Sequence, residues 1–232
     1  MDDLFTAAAA DGKMKPLAER MRPHSLKDFI GQKHLVSEGS LLSRAIMADK
    51  LGSCIFFGPP GTGKTTLATI IAETTHGAFA KMNAVSSGVA EAKKLIEEAR
   101  DRLKMYGRRT YLLLDECHRW NKAQSDCVLS AIEDGSIIFI GSTTENPYVS
   151  MTNAIVSRCR IFELKPLRDE EVREGLIRAI KDEKNGYGKM KLSVTEEALD
   201  HFVWAAGGDL RSAYGALELA VLTTAPQEGG KL

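Results

Sequence analysis

One run of eight residues constrains this chain more than any other: Gly58-Pro59-Pro60-Gly61-Thr62-Gly63-Lys64-Thr65. It fits G-x-x-x-x-G-K-[ST], a loop whose glycines let the backbone curl until several N–H groups face one anion. Four apolar residues, Cys54–Phe57, precede it and have the length of a buried strand. A helical stretch follows, with Leu67, Ile70 and Ile71 on one face, and its positive end points at the same anion. Strand, glycine loop and helix in that order are the context this pattern needs. Gly58, Pro59, Pro60, Gly61, Thr62, Gly63, Lys64, Thr65 and Thr66 are therefore read as a phosphate cradle. Lys64 neutralises the β- and γ-phosphates of ATP, and Thr65 offers its hydroxyl to Mg²⁺.

A second acidic site lies downstream. The apolar run Tyr111–Leu114 reads as a buried strand and delivers Asp115-Glu116 at its end. Beside a phosphate loop, Asp115 would hold Mg²⁺ and Glu116 would act as general base on the attacking water. A kinase of small molecules needs no water activator, so the glutamate favours hydrolysis. Asp115-Glu116-Cys117-His118 also spells the D-E-x-H of some helicases, a reading set aside because the later motifs go elsewhere.

Between these motifs, strands alternate with helices. Phe79–Asn83, Ser136–Ile140 and Ile161–Leu164 read as further strands, and 88–104 and Lys122–Glu133 as helices. Val89, Ala92, Ile96, Ala99 and Leu103 fall at steps of three and four, giving 88–104 one apolar face. Near the start, Ser25 caps a short helix Leu26–Ile30 ended by Gly31, and Leu41–Ala48 is helical. The alternation predicts an α/β fold, a parallel sheet with helices on both faces; joined to the phosphate loop at Gly58–Thr65, it is the expected P-loop NTPase sheet. Beyond Pro166 only helices are expected, at 169–183, 195–206 and 209–223, forming a small all-helical lid domain. The expected divisions are a tail over 1–15, a nucleotide-binding domain over 16–165, the helical domain over 166–225 and a polar tail over 226–232.

Charge and cysteine content narrow the class. Lys plus Arg and Asp plus Glu both number 31, so no mass of positive charge draws nucleic acid to the whole surface. A DNA site must then be local, or made by assembling subunits. Cys54, Cys117, Cys127 and Cys159 have neither C-x-x-C nor metal-type spacing and read as buried thiols of a reducing cytosol. The acidic start at Asp2-Asp3 is unlike a signal peptide, and no apolar run reaches membrane-spanning length, so a cytoplasmic protein with no membrane partner is expected.

Three further segments suit a nucleotide site. Gly141-Ser142-Thr143-Thr144 follows the strand Ser136–Ile140, where a polar side chain could orient the water; Thr144 is the first choice and Thr143 the second. Ser157-Arg158-Cys159-Arg160 precedes the last strand, and Arg158 is suited to reach the γ-phosphate of ATP on a neighbouring subunit. Gly207-Gly208-Asp209-Leu210-Arg211 opens the last helix with Asp209 as N-cap. Arg211 sits in the first turn, against the helix dipole, as suits a residue that meets phosphate.

Together these motifs resemble the AAA+ ATPases, and among them the group of clamp loaders, the RuvB motor and the RarA (MgsA) family. Met21-Arg22-Pro23 through Phe29-Ile30-Gly31-Gln32 looks like the adenine-holding segment of this group. Asp115-Glu116-Cys117-His118-Arg119-Trp120-Asn121-Lys122-Ala123-Gln124 is similar to the D-E-h-H-R-h-N-K-x-Q stretch of RarA, and Thr143-Thr144-Glu145-Asn146-Pro147 resembles RarA more than its cousins. The resemblance covers about 15–223. It implies a DNA-dependent ATPase at stalled replication forks that binds forks, gaps or ends as a homo-oligomer, with replication proteins as possible partners. It places Ile30, Gly31 and Gln32 at the adenine and gives Glu116, Thr144, Arg158 and Arg211 the catalytic roles above. It also implies a C-terminal oligomerisation domain beyond this chain. A clamp-loader subunit, a branch-migration motor and a low-turnover ATP-binding scaffold are the alternatives.

Overall fold

The computed structural model describes residues 15–190 and 192–224; of the tails expected over 1–15 and 226–232, all but Lys15 lie outside the described residues. In chain order the elements are α1 (Leu17–Arg20), α2 (Lys33–Val36), α3 (Leu41–Met47), β1 (Cys54–Phe57), α4 (Lys64–Thr74), β2 (Ala78–Asn83), α5 (Val89–Tyr106) and β3 (Thr110–Asp115). Then come α6 (Lys122–Glu133), β4 (Ile137–Thr143), α7 (Pro147–Ser150), α8 (Asn153–Val156), β5 (Arg160–Glu163), α9 (Asp169–Lys181), α10 (Glu196–Ala206) and α11 (Leu210–Thr223). The chain divides into two compact units. One is Pro23–Lys165; the other joins the residues up to Arg22 to those from Pro166.

In the first unit the five strands are all parallel, in the order β2-β3-β4-β1-β5. Alternating side chains serve opposite faces. Ile55, Leu112, Leu114 and Phe139 pack with Ala92, Ile96 and Ala99 of α5 and with Val128 and Ala131 of α6. Cys54, Phe56, Leu113 and Ile140 pack on the other side with Leu42 and Ile46 of α3 and with Leu67, Ala68 and Ile71 of α4. Burial on both faces is why these strands read as unbroken apolar runs.

Element ends moved where side-chain chemistry overrode pattern. The strand expected over Ser136–Ile140 continues to Thr143, because Gly141, Ser142 and Thr143 pair with Ile55, Phe56 and Phe57 of β1 and are buried despite their polarity. The helix expected over Leu26–Ile30 is only a 3-10 turn, Leu26–Asp28, which Ser25 caps as foreseen. Phe29 leaves it in extended backbone and lays its ring against Gly63. α5 runs two residues past 104 and stops at Gly107, whose φ of 62° suits glycine.

The second unit has its own core, in which Val172 and Leu176 of α9, Leu199 and Val203 of α10, and Tyr214 and Leu217 of α11 meet. Leu17 of α1, fully buried, belongs to this core. The backbone N–H of Leu17 donates to Glu218 Oε1 at 2.9 Å, and Arg20 donates to the Asn185 carbonyl at 2.6 Å while lying over the Tyr187 ring. Residues 16–22 were expected in the α/β domain; they pack instead with the helices, and a four-residue helix is too short for its periodicity to say so. Leu17→Ala should cost about 2–5 kcal/mol, read as faster amide hydrogen exchange in α9, α10 and α11. Unchanged exchange there would count against this placement.

Candidate nucleotide site at the strand ends

The phosphate loop leaves β1 and enters α4. Gly58 has φ 149°, and a Cβ there would lie 2.1 Å from the Leu164 carbonyl oxygen, so only glycine lets β5 approach so closely. Gly63, at φ 96°, stands against the Phe29 ring, where a Cβ would meet Cζ at 2.5 Å. The buried Thr62 hydroxyl donates to the Pro59 carbonyl at 2.9 Å and braces the curl. Gly63 is also the N-cap of α4 and brings no side chain to cap it, so the first-turn N–H groups keep their anion-binding character. Lys64 Nζ donates to the Gly58 and Pro59 carbonyls, both at 2.7 Å, which holds the ammonium over the loop.

β3 ends two strands from β1, with β4 between them. Register brings the ends level: Phe57 lies opposite Thr143, and Leu114 opposite Gly141. Asp115 Oδ1 accepts from Thr65 Oγ1 at 3.4 Å and from Ser142 Oγ. The loop threonine, the β3 aspartate and a β4 serine thus meet at one oxygen. Ser142 had no expected role. The available signal was a hydroxyl one residue before the paired threonines, in a segment expected just past the strand end. Among the described residues no group of three or more His, Cys, Asp and Glu side chains could hold a metal. One carboxylate and one hydroxyl instead match Mg²⁺, which takes its remaining ligands from phosphate and water.

Glu116 follows Asp115 with φ 54°, an uncommon left-handed conformation for a non-glycine residue. The chain then makes a 3-10 turn, Cys117–Arg119, that carries the His118 ring back beside Glu116, Thr143 and Glu145. Of the two threonines, Thr143 is buried and its Oγ1 lies 2.8 Å from His118 Nδ1, whereas Thr144 is exposed just past the strand end.

The other expected site residues have specific surroundings. Ile30 is half-buried, and Gly31 and Gln32 are buried with consecutive left-handed backbones, φ 70° and 52°. The Gln32 side-chain amide donates to the Lys165 carbonyl at 2.7 Å and accepts the Lys165 N–H at 3.0 Å. It is a clamp on the end of the α/β unit, a use the sequence did not suggest. Arg158 pairs with Glu133 at the end of α6, through Nη2 at 2.6 Å and Nε at 2.9 Å, and donates to the Ala154 carbonyl. Arg211 belongs to the helical unit, exposed in the first turn of α11, where Asp209 caps the N–H groups of Arg211 and Ser212.

Only two of the four expected buried thiols are fully so. Cys54 and Cys117 are buried, while Cys127 and Cys159 are half-exposed. Desolvation pushes the Cys54 and Cys117 thiols far up and Cys159 up to about 12, which favours the thiol form over the nucleophilic thiolate at neutral pH.

A parallel sheet with a glycine loop after β1 and an acidic pair after β3 defines a P-loop nucleotide-binding domain. Residues 21–156 match the family model described as the Holliday junction DNA helicase RuvB P-loop domain, and the chain belongs to that family. It is 47% identical over 219 residues to replication-associated recombination protein A of Bacillus subtilis, covering 94% of this chain and 51% of that protein. It is 40% identical over 206 residues to the ATPase WRNIP1 of Dictyostelium discoideum, covering 89% of this chain and 23% of that one. The chain thus spans about half the length of the first of these relatives. Among solved structures, the Thermotoga maritima RuvB Holliday junction branch migration motor aligns with a TM-score of 0.67 and 28% identity, over 84% of this chain and 63% of that one. The likeness to RarA carried by Asp115–Gln124 and Thr143–Pro147 agrees with the first relative's name. No helix of the described residues is long and apolar enough to cross a membrane.

Proposed function

We propose that this chain is the ATP-hydrolysing part of a DNA-processing ATPase that acts in replication-associated recombination and repair. The observation that carries the reading is the single Asp115 oxygen shared by Thr65 of the phosphate loop and Ser142 of β4, with Glu116 next along the chain. The loop N–H groups and the Lys64 ammonium take the β- and γ-phosphates; Lys64 has three donors to exchange from carbonyl to phosphate oxygens. Thr65 and Asp115 would hold Mg²⁺, which when bound offsets the negative charge gathering on the phosphates. Glu116 accepts a proton from the water, and the exposed Thr144 orients that water. Ile30, Gly31 and Gln32 face adenine through their backbone, since the Gln32 amide is engaged with Lys165. Arg211 keeps its candidacy for the γ-phosphate on sequence grounds.

Arg158 would act on the nucleotide of a neighbouring copy. Its partner Glu133 is half-exposed, and such pairs contribute about 0–1 kcal/mol, so the guanidinium can exchange Glu133 for phosphate. Forked, gapped or end-bearing DNA is the proposed activator. It would bind a local or assembled surface, since the chain carries no net charge. The test is turnover of the full-length protein with and without such DNA. Stimulation is expected, and Arg158→Ala should cut turnover by about 10³-fold or more while ATP affinity holds. ATP binding with no turnover on any DNA would support the scaffold alternative, and loading of a sliding clamp would support the clamp-loader one. Equal turnover in Arg158→Ala, with assembly verified, would remove Arg158 from the site.

A further inference from the structure

His118 is an enclosed imidazole beside the acidic pair. Its side chain is 5% exposed, against 41% for Glu116 and 55% for Glu145. Nδ1 lies 2.8 Å from Thr143 Oγ1 and 3.6 Å from Glu116 Oε2, and Nε2 lies 3.5 Å from Glu145 Oε1. Thr143 is held in turn: its Oγ1 accepts the Glu145 N–H at 3.0 Å, at the buried end of β4. The imidazole therefore lies between the proposed base and the strand end that carries the water-orienting hydroxyls, hydrogen-bonded to Thr143 and within ion-pair distance of Glu116.

A solvated surface histidine would not be built this way. The left-handed Glu116 and the 3-10 turn after it, closed by the Arg119 N–H donating to the Glu116 carbonyl at 2.9 Å, bring the ring back over the residue two positions earlier. Glu116 is otherwise a half-exposed carboxylate on a short turn, with rotamer freedom that a general base cannot use. One fixed neighbour would remove it. A base displaced by about 1 Å can lose roughly 100-fold in rate, so a neighbour that fixes the position of the carboxylate would have a measurable kinetic effect.

We propose that His118 is a positioning residue for hydrolysis: anchored by Thr143 and Glu145, it sets where the Glu116 carboxylate lies and couples that placement to the end of β4. This rests on Glu116 being the base. His118 need not touch nucleotide, so its removal should leave binding alone.

The experiment measures steady-state ATP turnover, ATP affinity and thermal midpoint in full-length wild type and in His118→Ala, His118→Asn, Glu116→Gln and the double variant His118→Ala/Glu116→Gln. His118→Ala should lower kcat by about 10- to 100-fold with ATP affinity within about twofold. His118→Asn, whose amide can still meet Thr143 and Glu116, should recover part of that loss. The double variant should be no slower than Glu116→Gln alone, because a positioner has nothing left to position. Unchanged kcat in His118→Ala while Glu116→Gln is dead would overturn the positioning role and leave the base intact. Full turnover in Glu116→Gln would overturn both. A fall in kcat matched by lost ATP affinity or a lowered midpoint, with no recovery in the asparagine variant, would make His118 merely structural.

Discussion

Lys64→Ala is expected to remove measurable ATP binding, a loss of at least about 100-fold in Kd, or roughly 3 kcal/mol. The ammonium sits on the loop itself, bonded to the Gly58 and Pro59 carbonyls, so it is within reach of any phosphate the loop N–H groups gather. Alanine removes the one cationic side chain in the Gly58–Thr65 loop, and water cannot replace a fixed charge in a narrow backbone cradle. The loop should keep its shape, since Gly58, Gly63 and the Thr62–Pro59 bond set it. Calorimetric titration with ATP, alongside circular dichroism to show an unchanged fold, checks the result. Undiminished affinity would contradict the assignment of the loop.

Glu116→Gln is the complementary case, with binding kept and chemistry lost. An amide cannot take the proton from water, and a general base contributes about 10²–10⁴ in rate, so kcat should fall in that range while ATP affinity stays within about threefold. Glutamine matches glutamate in shape and leaves Asp115 and Thr65 untouched. Single-turnover hydrolysis of radiolabelled ATP would read the chemical step directly. Turnover near wild type would end the claim that Glu116 is the base and reopen the scaffold alternative.

Much of the α/β unit was legible because parallel strands covered on both faces carry continuous apolar runs, and because end signals are local. α6 was placed at Lys122–Glu133, and its start is marked by a capping box in which Asn121 and Gln124 satisfy each other's N–H groups. α11 likewise begins where Asp209 announces it. The extension of β4 was not legible. Gly141, Ser142 and Thr143 look like a turn in one dimension, and only pairing with β1 makes them strand. The ordering of the threonines was a choice between neighbours, and the fold gives them different surroundings, Thr143 buried against His118 and Thr144 exposed.

The sequence alone determined the parts whose physics is carried by adjacent residues: a glycine loop whose own spacing bends its backbone, a strand that delivers two acids at its end, and helix starts written in their caps. Tertiary structure decided what depends on residues far apart in the chain. It brought Ser142 to Asp115, Gln32 to Lys165, Glu133 to Arg158 and Leu17 into the helical core. Each of these is a contact between groups 25 or more residues apart, formed only once the sheet register or helix packing has fixed both ends, and no local pattern of apolar spacing or turn chemistry encodes it.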